Sequence, residues 1–437
     1  MMPRYYFRNR AGYYDYPLYN YPLVWLVVCL GVAGLCVLIK RFLGLDFGYF
    51  QAVSLIGAGV LSAYLIYQVV AGSRKNGSFL KYISALTIAD NVRQSLLNTM
   101  NVNRMKDSPF LEVPPIEAVY RNEQINLTVG KLAGMYELDK ITQDVNSSLR
   151  GIYKRFAVVS SAVSVDGSDF DFILEDVLKS QRFVVKNNDV SSFVSSNPHE
   201  IKLAKNLIWN TVKTPMLSVI GRTRSGKTVF SKYLLEVMQK QGWKICYYST
   251  KGDTYTRQFQ GESDPQRIIE SLEKWLEVVK ARNRKIADAG ATDYTALNLK
   301  DVALVIDEIG MLNGQLSMNK DLKKRWEAVI TALTGVGASS GVHIIAMSQR
   351  GTKDFFLPSS ALTNARDAVI MLGLAADSGD DRRFLIPGYE IDHRAYGQGQ
   401  GLAMFVTSGK RWEQPNFYET PYFEEFGEDN YLSLIHI

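Results

Sequence analysis

The chain is poor in the residues that most often announce a metal centre, a disulfide scaffold or a flexible tether. Its 437 residues include three cysteines, four histidines and 13 prolines. Cys29 and Cys36 lie inside an apolar run and Cys246 in a strand-like one, so neither a disulfide framework nor a zinc site is indicated. The histidines are scattered and form no HExxH pattern, which excludes that zinc-hydrolase signature. No internal repeat or low-complexity tract is evident, so neither a solenoid nor a long disordered linker is expected. Neither charge dominates: 50 Lys and Arg against 44 Asp and Glu leave a formal +6. That mild basicity suits an anionic partner, nucleic acid or membrane, without requiring one.

Long apolar runs, by contrast, are present near the start. "PLVWLVVCLGVAGLCVLI" (22–39) is uncharged, spans about one bilayer thickness, and stops at Lys40 and Arg41. A second run, 47–71, is interrupted only by Gln51, Gln68 and a few hydroxyls, and ends at Arg74 and Lys75. Both read as transmembrane helices. Gly31, Gly34, Gly57 and Gly59 are expected to let them approach closely. The tyrosine-rich lead-in "YYFRNRAGYYDYPLYNYP" suits an interfacial aromatic belt and, with the second span, argues against a cleaved signal peptide. Arg4, Arg8 and Arg10 before the spans and Arg74, Lys75 and Lys81 after them favour both termini inside, while Lys40 and Arg41 weaken the signal.

Residues 1–75 therefore read as a membrane anchor and 76–200 as a juxtamembrane adaptor domain. In the adaptor, "LTIADNVRQSLLNTM" has helical spacing and "IEAVYRNEQINLTVG" reads as strand. "YELDKITQDVNSSLRGIYKRFAVVSSAVSV" reads as a helix leading into a strand. No chemical constellation is visible there. Its predicted character is small and α+β.

The chemistry begins with "LSVIGRTRSGKTVF". The apolar run before it is of strand type, and "VFSKYLLEVMQKQG" after it repeats its apolar positions at helical spacing. Strand, glycine loop and helix are the context that GxxxxGK[ST] requires. Gly221, Arg222, Thr223, Arg224, Ser225, Gly226, Lys227 and Thr228 are thus the expected ATP-phosphate cradle. Its glycines let backbone N–H groups turn toward the phosphates, and the helix N-terminus adds its dipole. Lys227 is expected to neutralise the outer phosphates, and Thr228 to ligate Mg2+. "DVALVIDEIG" is a buried strand that releases Asp307 and Glu308 at its carboxyl end, where ligands bind in open α/β sheets. Asp307 is the expected second Mg2+ residue and Glu308 the general base for water. A further buried strand in "GASSGVHIIAMSQR" delivers Ser348 and Gln349 to the same edge, where an amide can sense the γ-phosphate. This set predicts an α/β, RecA-like P-loop ATPase of the additional-strand class, mostly parallel with helices on both faces. Its sensor strand should lie between the glycine-loop strand and the acidic one. An ATPase placed after two spans must face the cytoplasm.

Residues from about 214 to 405 resemble the FtsK/SpoIIIE family of hexameric DNA translocases. The resemblance rests on 221–228, "YYSTKGD", "VVKARNRKI", "ALVIDEIG", "GVGASSGVHIIAMSQR", "ALTNARDAVIML" and "YGQGQGLAMF". By this resemblance Gln349 is the sensor glutamine and Lys251 the lysine after the second strand. The chain departs from the family pattern at Ser249, Ala338 and Gly351, where Asp, Arg and Pro are usual. A trans-acting arginine finger is implied, with Arg282, Arg350, Arg366 and Arg382 as candidates. Basic and aromatic side chains after the acidic and sensor strands (Lys320, Lys323, Lys324, Lys353 and Phe355) are the expected DNA contacts, suited to phosphates and base stacking.

The motor is expected at 201–412, followed by an acidic tail at 413–437. Two spans, a small adaptor and a lone motor look most like the FtsK-like (TcpA-type) coupling proteins of Gram-positive conjugative elements. That likeness implies a homohexamer at the plasma membrane that works with a relaxase and a type IV-like secretion channel and moves single- or double-stranded DNA. The alternatives are a chromosome-partitioning double-stranded DNA translocase and a secretion ATPase that moves protein. The last residues, "YLSLIHI", turn abruptly apolar, and whether they are a native end is left open.

Overall fold

The computed structural model describes residues 4–8, 14–103, 110–121, 124–132, 138–149, 151–176, 179–252, 254–389, 391, 393–408 and 411–424. The chain divides into two compact units, Met1–Lys179 and Ser180–Ile437.

The first unit begins with β1 (Arg4–Arg8) and β2 (Tyr14–Asp15), then helices α1 (Pro22–Leu43) and α2 (Gly48–Asn76). Proline opens α1, and Gly44, at φ +66°, closes it. Gly77, at φ +80°, closes α2 in the same way. Both helices are long and apolar enough to cross a membrane. Only 11% of the apolar window in α1 and 6% of that in α2 is buried, which no core helix of a soluble domain would tolerate. Cys29, Ala33 and Cys36 recur at helical spacing on α1, and the last two are buried. Across the seam, a Cβ on Gly57 would lie 3.4 Å from the Cys29 sulfur, whereas Gly31, Gly34 and Gly59 face open space. One of the four expected glycines therefore serves the close approach; alanine and cysteine do the rest.

Helix α3 (Phe79–Asn103) follows, then β3 (Phe110–Val113), β4 (Ile116–Arg121), β5 (Gln124–Gly130), α4 (Leu138–Ser148), β6 (Phe156–Val163) and β7 (Asp169–Asp176). The antiparallel sheet runs β4-β5-β7-β6. Its alternating residues Ile125, Leu127, Val129 and Phe170, Phe172, Leu174 form one core with Ile88, Val92 and Leu96 of α3 and Ile141 and Val145 of α4. Not every tyrosine of the lead-in is exposed. Strand β1 pairs with both β2 and β3, and Tyr6, 4% exposed, packs with Leu97, Leu111 and Val113. Alternation along a strand sends Tyr6 inward while Tyr5 and Phe7 stay exposed.

The second unit opens with β8 (Val184–Val185) and the hairpin β9 (Glu200–Ala204) and β10 (Leu207–Asn210). Then come β11 (Met216–Gly221), α5 (Lys227–Lys240), β12 (Lys244–Ser249), α6 (Thr254–Gln258) and α7 (Pro265–Asp288). They lead into β13 (Val302–Asp307), α8 (Ile309–Leu316), α9 (Lys320–Val336) and β14 (Val342–Ser348). Short helices α10 (Ser359–Leu362), α11 (Leu374–Asp377) and α12 (Gly379–Leu385) accompany β15 (Ala368–Leu372). Strands β16 (Gln400–Phe405), β17 (Asn416–Glu419) and β18 (Tyr422–Phe423) complete the unit.

Seven strands form one sheet in the order β12-β13-β14-β11-β15-β16-β17. The first five are parallel, and β16 and β17 run antiparallel. Continuous apolar runs are what a sheet covered on both faces demands. Met216 and Ile220, Leu304 and Ile306, Ile344 and Ala346 face one way, under Leu272 of α7 and Ile330 of α9. Leu217 and Val219, Ala303 and Val305, Ile345 and Met347 face the other way, under Phe230 and Leu234 of α5. The sensor strand β14 lies between β11 and β13, as the additional-strand class requires.

Two expected boundaries need correction. The second unit starts at 180 rather than 201, because β8 pairs with β18 and Val185, Ile201 and Trp209 belong to the core under α5. Residues 413–424, expected in an acidic tail, instead supply the edge strand β17 and bury Tyr418 and Phe423. Acidic composition hid the aromatic residues Tyr418 and Phe423. Residues 425–437 lie outside the described residues.

Candidate nucleotide site

The glycine loop joins β11 to α5, and its shape follows from two glycines. Gly226 sits at φ +99°, and a Cβ there would come within 2.9 Å of the Gly399 backbone. A Cβ on Gly221 would lie 2.4 Å from Ser225 Oγ. At Gly226 the obstacle is backbone, so with a side chain there the loop could not close, and the closure is visible in the Ser225 N–H donating to Arg222 O at 3.1 Å. Thr223, Arg224 and Thr228 are exposed, whereas Ser225 and Lys227 are buried. Ser225 Oγ, buried against Gly221, has no hydrogen-bond partner among the described residues. Arg222 lies 3.9 Å from Asp381, so its charge is half answered within the chain.

Strand β13 delivers the acidic pair. Glu308, at φ +55°, makes the left-handed step between β13 and α8, an uncommon conformation for a residue with a side chain. It is 3% exposed. Lys227 Nζ donates to Asp307 Oδ1 at 3.0 Å and to Glu308 Oε1 at 2.8 Å. Lys251 Nζ reaches the same Glu308 oxygen at 2.7 Å, and Gln349 Nε2 donates to Glu308 Oε2 at 3.0 Å. Burial pushes the Glu308 carboxyl up, but the two ammonium groups outweigh it and hold it below the ordinary glutamate value. The four residues Lys227, Asp307, Glu308 and Gln349 thus meet at the carboxyl ends of β11, β13 and β14. Ser348, by contrast, turns away and donates to Phe355 O at 2.6 Å.

Two features have no counterpart in the motif reading. Tyr247 of β12 donates its hydroxyl to Asp307 Oδ2 at 2.9 Å, fixing the carboxylate from the side away from Lys227. The second lies behind the loop: Gly399 N–H donates to Ser225 O at 2.9 Å. Beside it, the 8%-exposed Glu419 accepts from Ser180 Oγ, the Gln181 N–H and Gln400 Nε2. Both features are contacts between segments far apart in sequence. Only the strand periodicity around Tyr247 offered a clue to either.

The site's oxygen donors suit Mg2+, which takes few protein ligands and keeps substrate phosphates and water for the rest. Thr228 Oγ1 and the Asp307 carboxylate are the candidates. Among the described residues no group of three or more His, Cys, Asp or Glu could hold a metal ion by itself.

Of the candidate finger arginines, three are engaged within the chain. Arg282 donates to Lys300 O and Ser340 O, Arg366 to Phe384 O, and the buried Arg382 to Ala376 O. Arg350 is exposed and lies 5.4 Å over the Phe355 ring. Lys320, Lys323 and Lys324 are exposed in the first two turns of α9. A groove of about 670 Å³ is lined by Lys323, Trp326, Lys353 and Phe355, with Glu327 and Asp354 tempering its charge. Lys320 and Lys324 lie outside its lining. Phe355 is 43% exposed, and its neighbour Phe356, at 1%, is core.

No family model matches the sequence, and no curated protein matches it. Among solved structures, the chain is similar to the pCW3 conjugation coupling protein TcpA, in its monomer form with ATPγS. The TM-score is 0.50 at 13% identity, covering 80% of this chain and 99% of that one. Similarity is also found to EssC (ATPases 2 and 3) from Geobacillus thermodenitrificans, with TM-score 0.41 and 11% identity over 56% of this chain and 47% of that one. The genome packaging NTPase B204 from Sulfolobus turreted icosahedral virus 2 gives TM-score 0.30 and 15% identity over 47% and 97%. By sheet order, glycine loop and the likeness to TcpA along most of both chains, this protein has the fold of a P-loop ATPase preceded by two apolar helices and a small α+β unit.

Proposed function

We propose that the protein is a membrane-anchored, ATP-driven DNA translocase of the FtsK/SpoIIIE family that serves as a conjugative coupling protein. The observation that carries this is the meeting of Lys227, Asp307, Glu308 and Gln349 beside a glycine loop, in a chain that opens with two helices long enough to span a bilayer. The loop N–H groups bind the phosphates, and Lys227 exchanges its carboxylate partners for the outer ones. Thr228 and Asp307 would hold Mg2+, which when bound supplies charge neutralisation on the phosphate oxygens. Glu308 accepts a proton from water as the water oxygen attacks the γ-phosphorus. The bond to the bridging oxygen breaks, releasing ADP and phosphate. Gln349, bonded to Glu308, reports the change to the loop that carries Lys353 and Phe355.

Homohexamer formation, the cytoplasmic placement of the motor, and service to a relaxase and secretion channel belong to the same reading. The likeness to a coupling protein along 99% of its length supports it. The test is steady-state ATP hydrolysis by detergent-solubilised full-length protein with single-stranded DNA, double-stranded DNA and none. Stimulation by DNA is expected, with Lys227→Ala lowering the rate by about 100-fold or more. Absence of both stimulation and low-salt DNA binding refutes the translocase reading.

A further inference from the structure

Glu308 has more partners than a general base needs. Both carboxylate oxygens are taken: Oε1 by Lys227 and Lys251, Oε2 by Gln349. A phosphate would draw Lys227 away, because it lies in the loop that would hold it. Lys251 is different. It sits in a turn after β12, built by Ser249, whose Oγ accepts from the Lys251 N–H at 3.3 Å and whose O accepts from Gly252 N–H at 3.1 Å. Gly252 is at φ +64°, so the turn is specific, and it aims the lysine at Glu308 across the β12–β13 pair. Its side chain is 45% exposed while that of Glu308 is 4%, so the contact can be broken from the solvent side.

We propose that Lys251 is a positioning residue that restrains Glu308 and keeps basal ATP hydrolysis low. This rests on the reading of Glu308 as the base. A carboxylate whose lone pairs are engaged by an ammonium is a poorer proton acceptor, although it stays ionised at neutral pH. Removing Lys251 leaves Lys227, Asp307 and Gln349 around Glu308, and two of these three are the groups nucleotide binding reorganises. The restraint is therefore one that ATP by itself does not lift.

The experiment compares full-length wild type, Lys251→Met and Lys251→Arg, measuring kcat and KM for ATP with and without DNA. Lys251→Met is expected to raise the basal kcat about tenfold, the loss of one charge-assisted hydrogen bond, with KM little changed. Lys251→Arg keeps the restraint, with a basal rate near wild type. A basal rate in Lys251→Met that is unchanged or lower overturns the proposal, as does inactivity of both proteins, which also overturns the assignment of Glu308. A raised basal rate without DNA stimulation of any variant upholds the restraint and refutes the DNA-pump reading alone.

Discussion

Replacing Glu308 by glutamine separates nucleotide binding from hydrolysis and puts numbers on the site. In the structure Lys227 is shared between Asp307 at 3.0 Å and Glu308 at 2.8 Å, so ATP must compete with two carboxylates for one ammonium. Glutamine keeps the shape but gives up the charge. The lost charge-assisted bonds from Lys227 and Lys251 cost the nucleotide-free protein about 2–4 kcal/mol. For a unit of this size that lowers Tm by roughly 4–16 °C. The same loss makes Lys227 easier to recruit, so ATP binds about tenfold more tightly and restores most of the lost stability. Hydrolysis falls by about 100-fold or more, because no acceptor remains for the proton. Binding of a fluorescent ATP analogue, melting with and without nucleotide, and phosphate release read these effects. Weaker ATP binding in Glu308→Gln, or a Tm unchanged without nucleotide, would refute the competition argument. The pH dependence has a defined sign. Glu308 titrates below its ordinary value, so its contribution is full above about pH 5 and is lost as pH falls toward the folded-state pKa. The glutamine variant should lack that acid-side slope.

Other expectations follow from particular contacts. Gly226→Ala forces a Cβ to within 2.9 Å of the Gly399 backbone at φ +99°, and nucleotide binding should disappear while the melting curve of the sheet is retained; ATP-analogue titration with melting decides it. Asp301, 3% exposed, accepts from Tyr294 OH at 2.6 Å and pairs with His199 and His343, each at 2.8 Å. Asp301→Asn should cost about 3–5 kcal/mol, read by denaturant unfolding; a loss under 1 kcal/mol would show the cluster is not a coupled unit. Burial pushes the Asp301 carboxyl up, but the two histidines and Tyr294 prevail and lower it, so its stabilisation is present above about pH 4 and fades on further acidification. A chain ending at Glu413 removes β17 and β18 and uncovers the edge of β16; lost burial of Tyr418 and Phe423 alone costs about 3–6 kcal/mol. That protein should be insoluble or melt far lower, whereas a dispensable tail would leave Tm unchanged.

Much of the fold was legible because its signals are local. The glycine loop needs particular residues at particular spacings within one strand-turn-helix, and both apolar helices declare themselves by composition over a bilayer's length. The same locality explains what was misread. Residues 413–424 looked like an acidic tail because "NFYETPYF" is short and flanked by charge, yet Tyr418 and Phe423 are buried in the core under α5. Tyr6 looked interfacial until β3, a hundred residues on, paired with its strand. Sequence spacing could nominate four glycines for the helix seam, but which of them faced the neighbour depended on the rotation of both helices.

By itself, then, the sequence determined the class of chemistry. Gly221, Gly226, Lys227, Thr228, Asp307, Glu308 and Gln349 stand out because the proposed phosphate binding and water activation demand those functional groups next to strand ends. Tertiary structure alone decided how they are used. The order β13-β14-β11 brings Lys227, Glu308 and Gln349 from three separate segments to one point. The β12–β13 pairing adds Tyr247 and Lys251, and β17 sets Glu419 behind the loop. The physical reason is that a motif is specified by a few neighbouring φ/ψ values and side chains. The distance between two motifs is specified by the burial of the whole sheet.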